Sequence, residues 1–174
     1  MKRWLASAAV LVATQTACGT SSAALITNPC EYVSSADVSP IVGGPVSEGY
    51  LQAQMVEAGN PGPTCIFGRA ADFTLRGSSG NGLVQYAAVS SIDDTVYQRW
   101  RGMSYPKGAV QPVWGIGDSA FEACGPHTAI LFVTRGPYHV AFEVGAGMGE
   151  QIAPAEALAH IVVPRLGVPR VPLK

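Results

Sequence analysis

Ala129-Ile130-Leu131-Phe132-Val133-Thr134-Arg135-Gly136-Pro137-Tyr138-His139-Val140-Ala141-Phe142-Glu143-Val144 is the stretch on which the fold turns. Its first half, residues 128–134, is a near-continuous apolar run. It is short and β-branched, which favours a strand in the interior of a sheet over a helix. Gly136-Pro137 then turns the chain. Residues 138–144 alternate, with Val140, Phe142 and Val144 on one face. Two such runs around a tight turn predict an antiparallel hairpin.

Upstream, residues 64–67, 73–75 and 83–89 read as further strands, and one more is expected near residues 50–56. The Gly-rich run 77–82 reads as a turn. Ser91-Ile92-Asp93-Asp94 predicts a helix start, with Ser91 as the cap and Asp94 in the first turn. Val96, Trp100 and Met103 then share one helical face, beside Tyr97, so this helix should lie across the sheet. An earlier short helix is expected within residues 34–42, with Ser35 as its cap and Gly43-Gly44 as its stop. Downstream, Pro154 opens a last helix whose buried stripe reads Ala157, Leu158, Ile161 and Val162, and Pro164 ends it. The order predicts a single α+β domain, an antiparallel sheet packed by two to three helices. Ile130, Phe132, Val140, Phe142, Trp100, Leu158 and Ile161 are expected to be buried together.

Composition agrees with one folded domain: 174 residues, 48% hydrophobic and 13% charged. With 11 basic and 12 acidic residues the net charge is −1, which excludes the basic field of a nucleic-acid binder.

The N-terminus reads as an address. Met1-Lys2-Arg3 is basic, and residues 4–13 are apolar or small, too short a run to span a bilayer comfortably. Thr16-Ala17-Cys18-Gly19 follows and resembles a bacterial lipobox, with Gln15 where the pattern usually has Leu. The expected organisation is a signal peptide over residues 1–17, a lipidated Cys18, a flexible linker over 18–27, the folded domain over 28–166 and an extended tail over 167–174. Cleavage after Ala24 is the alternative. The expected location is the outer face of the cell membrane, or the secreted fraction.

Three motifs in the body belong together. Asn28-Pro29-Cys30 precedes a short helix, Cys65-Ile66-Phe67 sits in a strand, and Gly115-Ile116-Gly117-Asp118-Ser119-Ala120 precedes the hairpin. The set resembles a family of actinobacterial, largely mycobacterial, secreted lipoproteins of unknown function. Its members carry Asp-Pro-Cys, Cys-x-Trp and Gly-x-Gly-Asp-x-Ala. This chain has Asn28 for the Asp and Phe67 for the Trp. The resemblance covers residues 28 to about 166 and implies an anchored envelope domain with a disulfide between Cys30 and Cys65. The residues themselves also allow Cys65 with Cys124. Closure of the Gly- and Pro-rich stretch between Cys30 and Cys65 favours the first pairing in an oxidising compartment. Cys124 would then be free.

Candidate chemistry is thin. Gly117-Asp118-Ser119 is similar to the Gly-Asp-Ser block of certain lipases and esterases, with Ser119 as nucleophile. Such a serine needs a base, supplied in those enzymes by a histidine three residues after an acid. Here Cys124, Gly136 and Ala157 stand three residues before His127, His139 and His160. A structural reading is preferred: Gly115 and Gly117 allow unusual backbone angles, and Asp118 fixes the turn by accepting amide hydrogen bonds. Cys124-Gly125-Pro126-His127 has too few ligands for zinc. His139 and Glu143 lie about 13 Å apart along a strand. The glycine runs 77–82 and 145–149 lack the strand and helix context of a phosphate cradle. Trp100, Trp114, Tyr97 and Phe121 are assigned to the core, with an apolar ligand cleft under the middle helix as the alternative.

The functional expectation is a lipid-anchored envelope domain that binds a protein or small apolar ligand, with no catalytic residue, metal or cofactor. Its alternatives are a carrier of a lipophilic ligand between helix and sheet, and a secreted serine hydrolase using Ser119.

Overall fold

Seven strands and three helices account for most of the backbone described in the computed structural model, which covers residues 23–52, 62–68, 86–102, 110–124, 129–145 and 152–167. In chain order they are a 3-10 turn at Pro29–Glu31, α1 (Ser35–Val42), β1 (Tyr50–Gln52), β2 (Thr64–Gly68), β3 (Tyr86–Ile92), α2 (Asp94–Gly102), β4 (Val110–Val113), β5 (Ser119–Cys124), β6 (Ala129–Arg135), β7 (Tyr138–Gly145), α3 (Ile152–Val162) and a second 3-10 turn at Val163–Arg165. The expected strand at 73–75, the Gly-rich runs 77–82 and 146–149, Met103, His127 and Cys18 lie outside the described residues.

The strands form one open antiparallel sheet in the order β1-β2-β3-β7-β6-β5-β4. Two meanders meet at β3 and β7. The chain leaves β3 through α2 and re-enters at β4 on the far edge, so α2 crosses one face of the sheet. α1 and α3 cover the other. This is the predicted α+β domain, with the β6–β7 hairpin inside the sheet as expected.

Both faces of β6 and β7 are buried, and this divides the core. Leu131, Val140, Phe142 and Val144 pack under α1 and α3 with Val38, Leu158 and Val162. Phe132, Ala141, Phe121 and Ile92 pack under α2 with Val96 and Tyr97. The residues expected to form one cluster are therefore separated by the sheet. Phe132 stands opposite Ala141, whereas Phe142 stands opposite Leu131. Ile130, Trp100 and Ile161 are only partly buried. The buried stripe of α3 is Ala155, Leu158, Ala159 and Val162, not one through Ala157, which is exposed. The small residues Ala155 and Ala159 let the helix approach the sheet closely, and a reading weighted to large side chains misses them.

Helix starts also differ from expectation. Ser34, not Ser35, caps α1, in a reciprocal box with Asp37. Ser91 caps nothing: β3 continues through it, and its buried hydroxyl accepts the Ile26 N–H at 2.8 Å. Asp93 takes the capping role, its Oδ1 accepting the Val96 N–H at 2.7 Å. The ordered fold also begins ahead of Asn28. Ala24 bridges Tyr138, and Ile26 is buried, because Leu25-Ile26 supplies apolar surface within an otherwise small and polar stretch.

Candidate functional site

Each of the three sequence motifs makes a structural contact. Asn28 caps the first 3-10 turn, its Oδ1 accepting the Cys30 N–H at 3.1 Å. Cys30 is disulfide-bonded to Cys65, with Cα atoms 5.0 Å apart, and Cys124 is not part of a disulfide. The bond ties the first turn to β2, whose Phe67 is fully buried beside it. The Gly115–Asp118 segment links β4 to β5. Gly115 and Gly117 have φ of 83° and 64°. A Cβ at Gly115 would point into open space, whereas one at Gly117 would strike the Thr134 carbonyl. Glycine is thus required twice over at Gly117.

Asp118 pins this loop to the β6–β7 turn. Its carboxylate accepts the Gly136 N–H at 2.6 Å and an Arg135 N–H at 2.9 Å. The Gly136 amide first, and Arg135 second, hold its pKa below the ordinary carboxylate value. Asp118 therefore works across the sheet end, on the amide of a neighbouring hairpin, and not within its own turn as the sequence suggested.

The pinned loop presents Trp114 to solvent. Its side chain is 85% exposed, so it does not belong to the core to which its type assigned it. The signal was there to read: Trp114 stands between Pro112 and Gly115-Ile116-Gly117, outside any periodic stripe. Tyr97 and Phe121 are buried core residues, packed edge to face at 5.2 Å. Trp100 packs on Phe132, tilted by 33°, with ring centroids 5.3 Å apart. Trp114 borders an open cleft of about 520 Å³ lined also by Arg101, Val110, Pro112, Ser119 and Phe121. That size suits a small ligand or a side chain of a partner.

Ser119 is exposed at the start of β5. Among the described residues its hydroxyl meets only that of Tyr97, at 3.4 Å. The His139 ring packs on that of Tyr97, tilted by 34°, with centroids 4.7 Å apart, and stands two strands from Ser119 in the same row of the sheet. Its Nδ1 is buried without a hydrogen bond and stands 3.9 Å from Asp94 Oδ1. Burial holds the His139 pKa below its ordinary value, against the pull of Asp94 and Asp93. His160 is on α3, under the opposite face. Glu143 accepts a hydrogen bond from the Tyr86 hydroxyl, so it and His139 serve different neighbours. No group of three metal-ligating side chains occurs among the described residues.

Two further spaces lie among the described residues. Between α2 and the sheet about 80 Å³ is open, lined by Val96, Trp100, Ile130 and Phe132 among others. Sites for drug-sized ligands run to several hundred Å³, so this space gives the lipophilic-carrier reading little support. A second cleft, of about 530 Å³, lies between the first turn and α1; Arg165 pairs with Asp37 there at 2.7 Å and 3.0 Å, and Glu31 and Glu48 also line it.

No family model, no curated protein and no solved structure matches this chain.

Proposed function

We propose that this chain is an exported, lipid-anchored domain of the cell envelope that acts by binding, through the loop that carries Trp114. The observation that carries the reading is the Cys30–Cys65 disulfide, joined to the export-type N-terminus. Disulfides persist in oxidising compartments outside the cytosol. Cys18 follows small residues at the end of an apolar run, where a lipidation cysteine belongs. A binding role is supported by an exposed indole on a loop that two positive-φ glycines and a doubly bonded aspartate hold in one shape. Such preorganisation lowers the entropy lost on association. The motifs at residues 28–30, 65–67 and 115–120 support kinship with the actinobacterial secreted lipoproteins.

The test is fractionation of the full chain expressed in an actinobacterial host. Wild type is expected in the membrane fraction with acyl chains on Cys18, and Cys18→Ser in the soluble fraction. Equal retention of both would overturn the anchor. Hydrolysis of simple esters that Ser119→Ala abolishes would overturn the binding role in favour of catalysis.

A further inference from the structure

We propose that the end of the sheet carrying Trp114 faces the lipid bilayer, with Trp114 and Leu25 seated in the interfacial layer as a second attachment beside the lipid on Cys18. This rests on the tethered reading above and names the bilayer as the partner of the Trp114 loop.

The Ala24 N–H donates to the Pro137 carbonyl at 2.6 Å, and Ala24 forms a parallel bridge with Tyr138. Entry is therefore beside the β6–β7 turn. Asp118 grips that same turn through Gly136 and Arg135, and Trp114 stands just before the gripping loop, at the end of β4. Tether and indole thus share one end of the sheet. From Cys18 to Ala24 the chain takes six residue steps, which reach roughly 20 Å at full extension. A domain held by so short a tether keeps its point of entry within the reach of the membrane surface.

The side chains at this end suit that surface. Trp114 is 85% exposed and Leu25 44%. An indole prefers the headgroup level, where its ring is half in apolar surroundings and its N–H stays wet. Asp93, Asp94 and Asp118 share this end with Arg135, and Arg101 lines the cleft beside Trp114, so the acids outnumber the bases and there is no net positive field. The contact is apolar, and it should survive salt that would release a purely electrostatic one.

The test uses the full mature chain, purified with its lipid and reconstituted in phosphatidylcholine vesicles with or without brominated acyl chains. After residue 4 the chain holds two tryptophans, Trp100 and Trp114. Trp100→Phe leaves Trp114 as the reporter. Its emission should shift to the blue on vesicles and be quenched about twofold by brominated lipid, at low and high salt alike, as for an indole at headgroup depth. Trp114→Phe should lose that quenching, and comparison with wild type gives the same answer should Trp100→Phe fold poorly. An acylated, vesicle-bound chain whose Trp114 emission ignores brominated lipid would overturn the orientation and leave the tether standing. An intact mass without acyl chains would overturn the tether and the proposal with it. A blue shift that needs no vesicles and grows with protein concentration would assign Trp114 to a second copy of the chain, which also overturns the proposal.

Discussion

Gly117 and Asp118 show how much a single position can hold. At Gly117 a side chain meets two separate obstacles, a left-handed backbone and the Thr134 carbonyl. At Gly115 it meets only the first. Gly117→Ala is therefore expected to destabilise by several kcal/mol, and Gly115→Ala by about 1 kcal/mol, the lower end of the cost of a strained backbone. Equal melting temperatures for the two variants would show that the loop relaxes around the added methyl. Asp37 makes a different kind of claim. Arg165 foremost, with help from Ser34, holds its pKa at about 2, below the ordinary 3.8. The folded carboxyl is the stronger acid, so its contribution is complete above the unfolded value and is lost as pH falls from near 3.8 through 2. Asp37→Asn should cost about 2 kcal/mol at neutral pH, and the gap from wild type should close toward pH 2, as followed by thermal melts. This pair was not legible in the sequence, because Asp37 and Arg165 stand 128 positions apart along the chain and nothing local announces their meeting. The exposure of Trp114 was legible from its place in a Gly-rich loop, but residue type argued the other way and prevailed.

At the level of strands and helices, local pattern carried far. The β6–β7 hairpin, the position of α2 across the sheet and the stop of α1 at Gly43 all follow from periodicity and turn chemistry. What failed was the assignment of sides. A continuous apolar run such as Ala129–Val133 marks a strand buried on both faces, and then no single cluster can contain its neighbours. Phe132 stacks on Phe121 at 4.8 Å under α2, while Phe142 sits under α3. Phe132→Ala and Phe142→Ala are each expected to cost on the order of 3–5 kcal/mol. Their side chains lie in separate clusters on opposite faces of the sheet, so the coupling should be small beside either single effect, although the two positions are neighbours on paired strands. Urea titrations of the two single variants and the double variant measure this, and a large coupling would mean that the two sides of the sheet relax together. The misplaced cap at Ser91 has a similar origin. Serine before two acids is a fair helix start, yet pairing with β7 extends β3 to Ile92 and leaves the role to Asp93.

For the whole molecule, the fold class followed from element order alone, whereas the strand order did not, since nothing local says that β7 will dock on β3. The disulfide is the covalent counterpart of that long-range order. It ties the turn at Pro29–Glu31 to β2 across 35 residues. Closing a loop of that length removes roughly 4 kcal/mol of chain entropy from the unfolded state in the simplest treatment. Cys30→Ser should lower stability by about that amount, and reduction of wild type should reproduce it. A reduced chain that melts with the oxidised one would mean that the unfolded chain already holds these segments together. The central pairing of β3 with β7 also bears on how the protein comes into being. A chain emerges from its N-terminus onward. β1, β2 and β3 are therefore made well before the strand that completes them, and β3 waits with one side unpaired until Gly145 has appeared. Pairing across so long a separation is slow to form. The newborn chain is accordingly most open to pairing with other chains in the interval between β3 and β7, and a polypeptide that cannot close its own centre early remains threadable until its synthesis is nearly done.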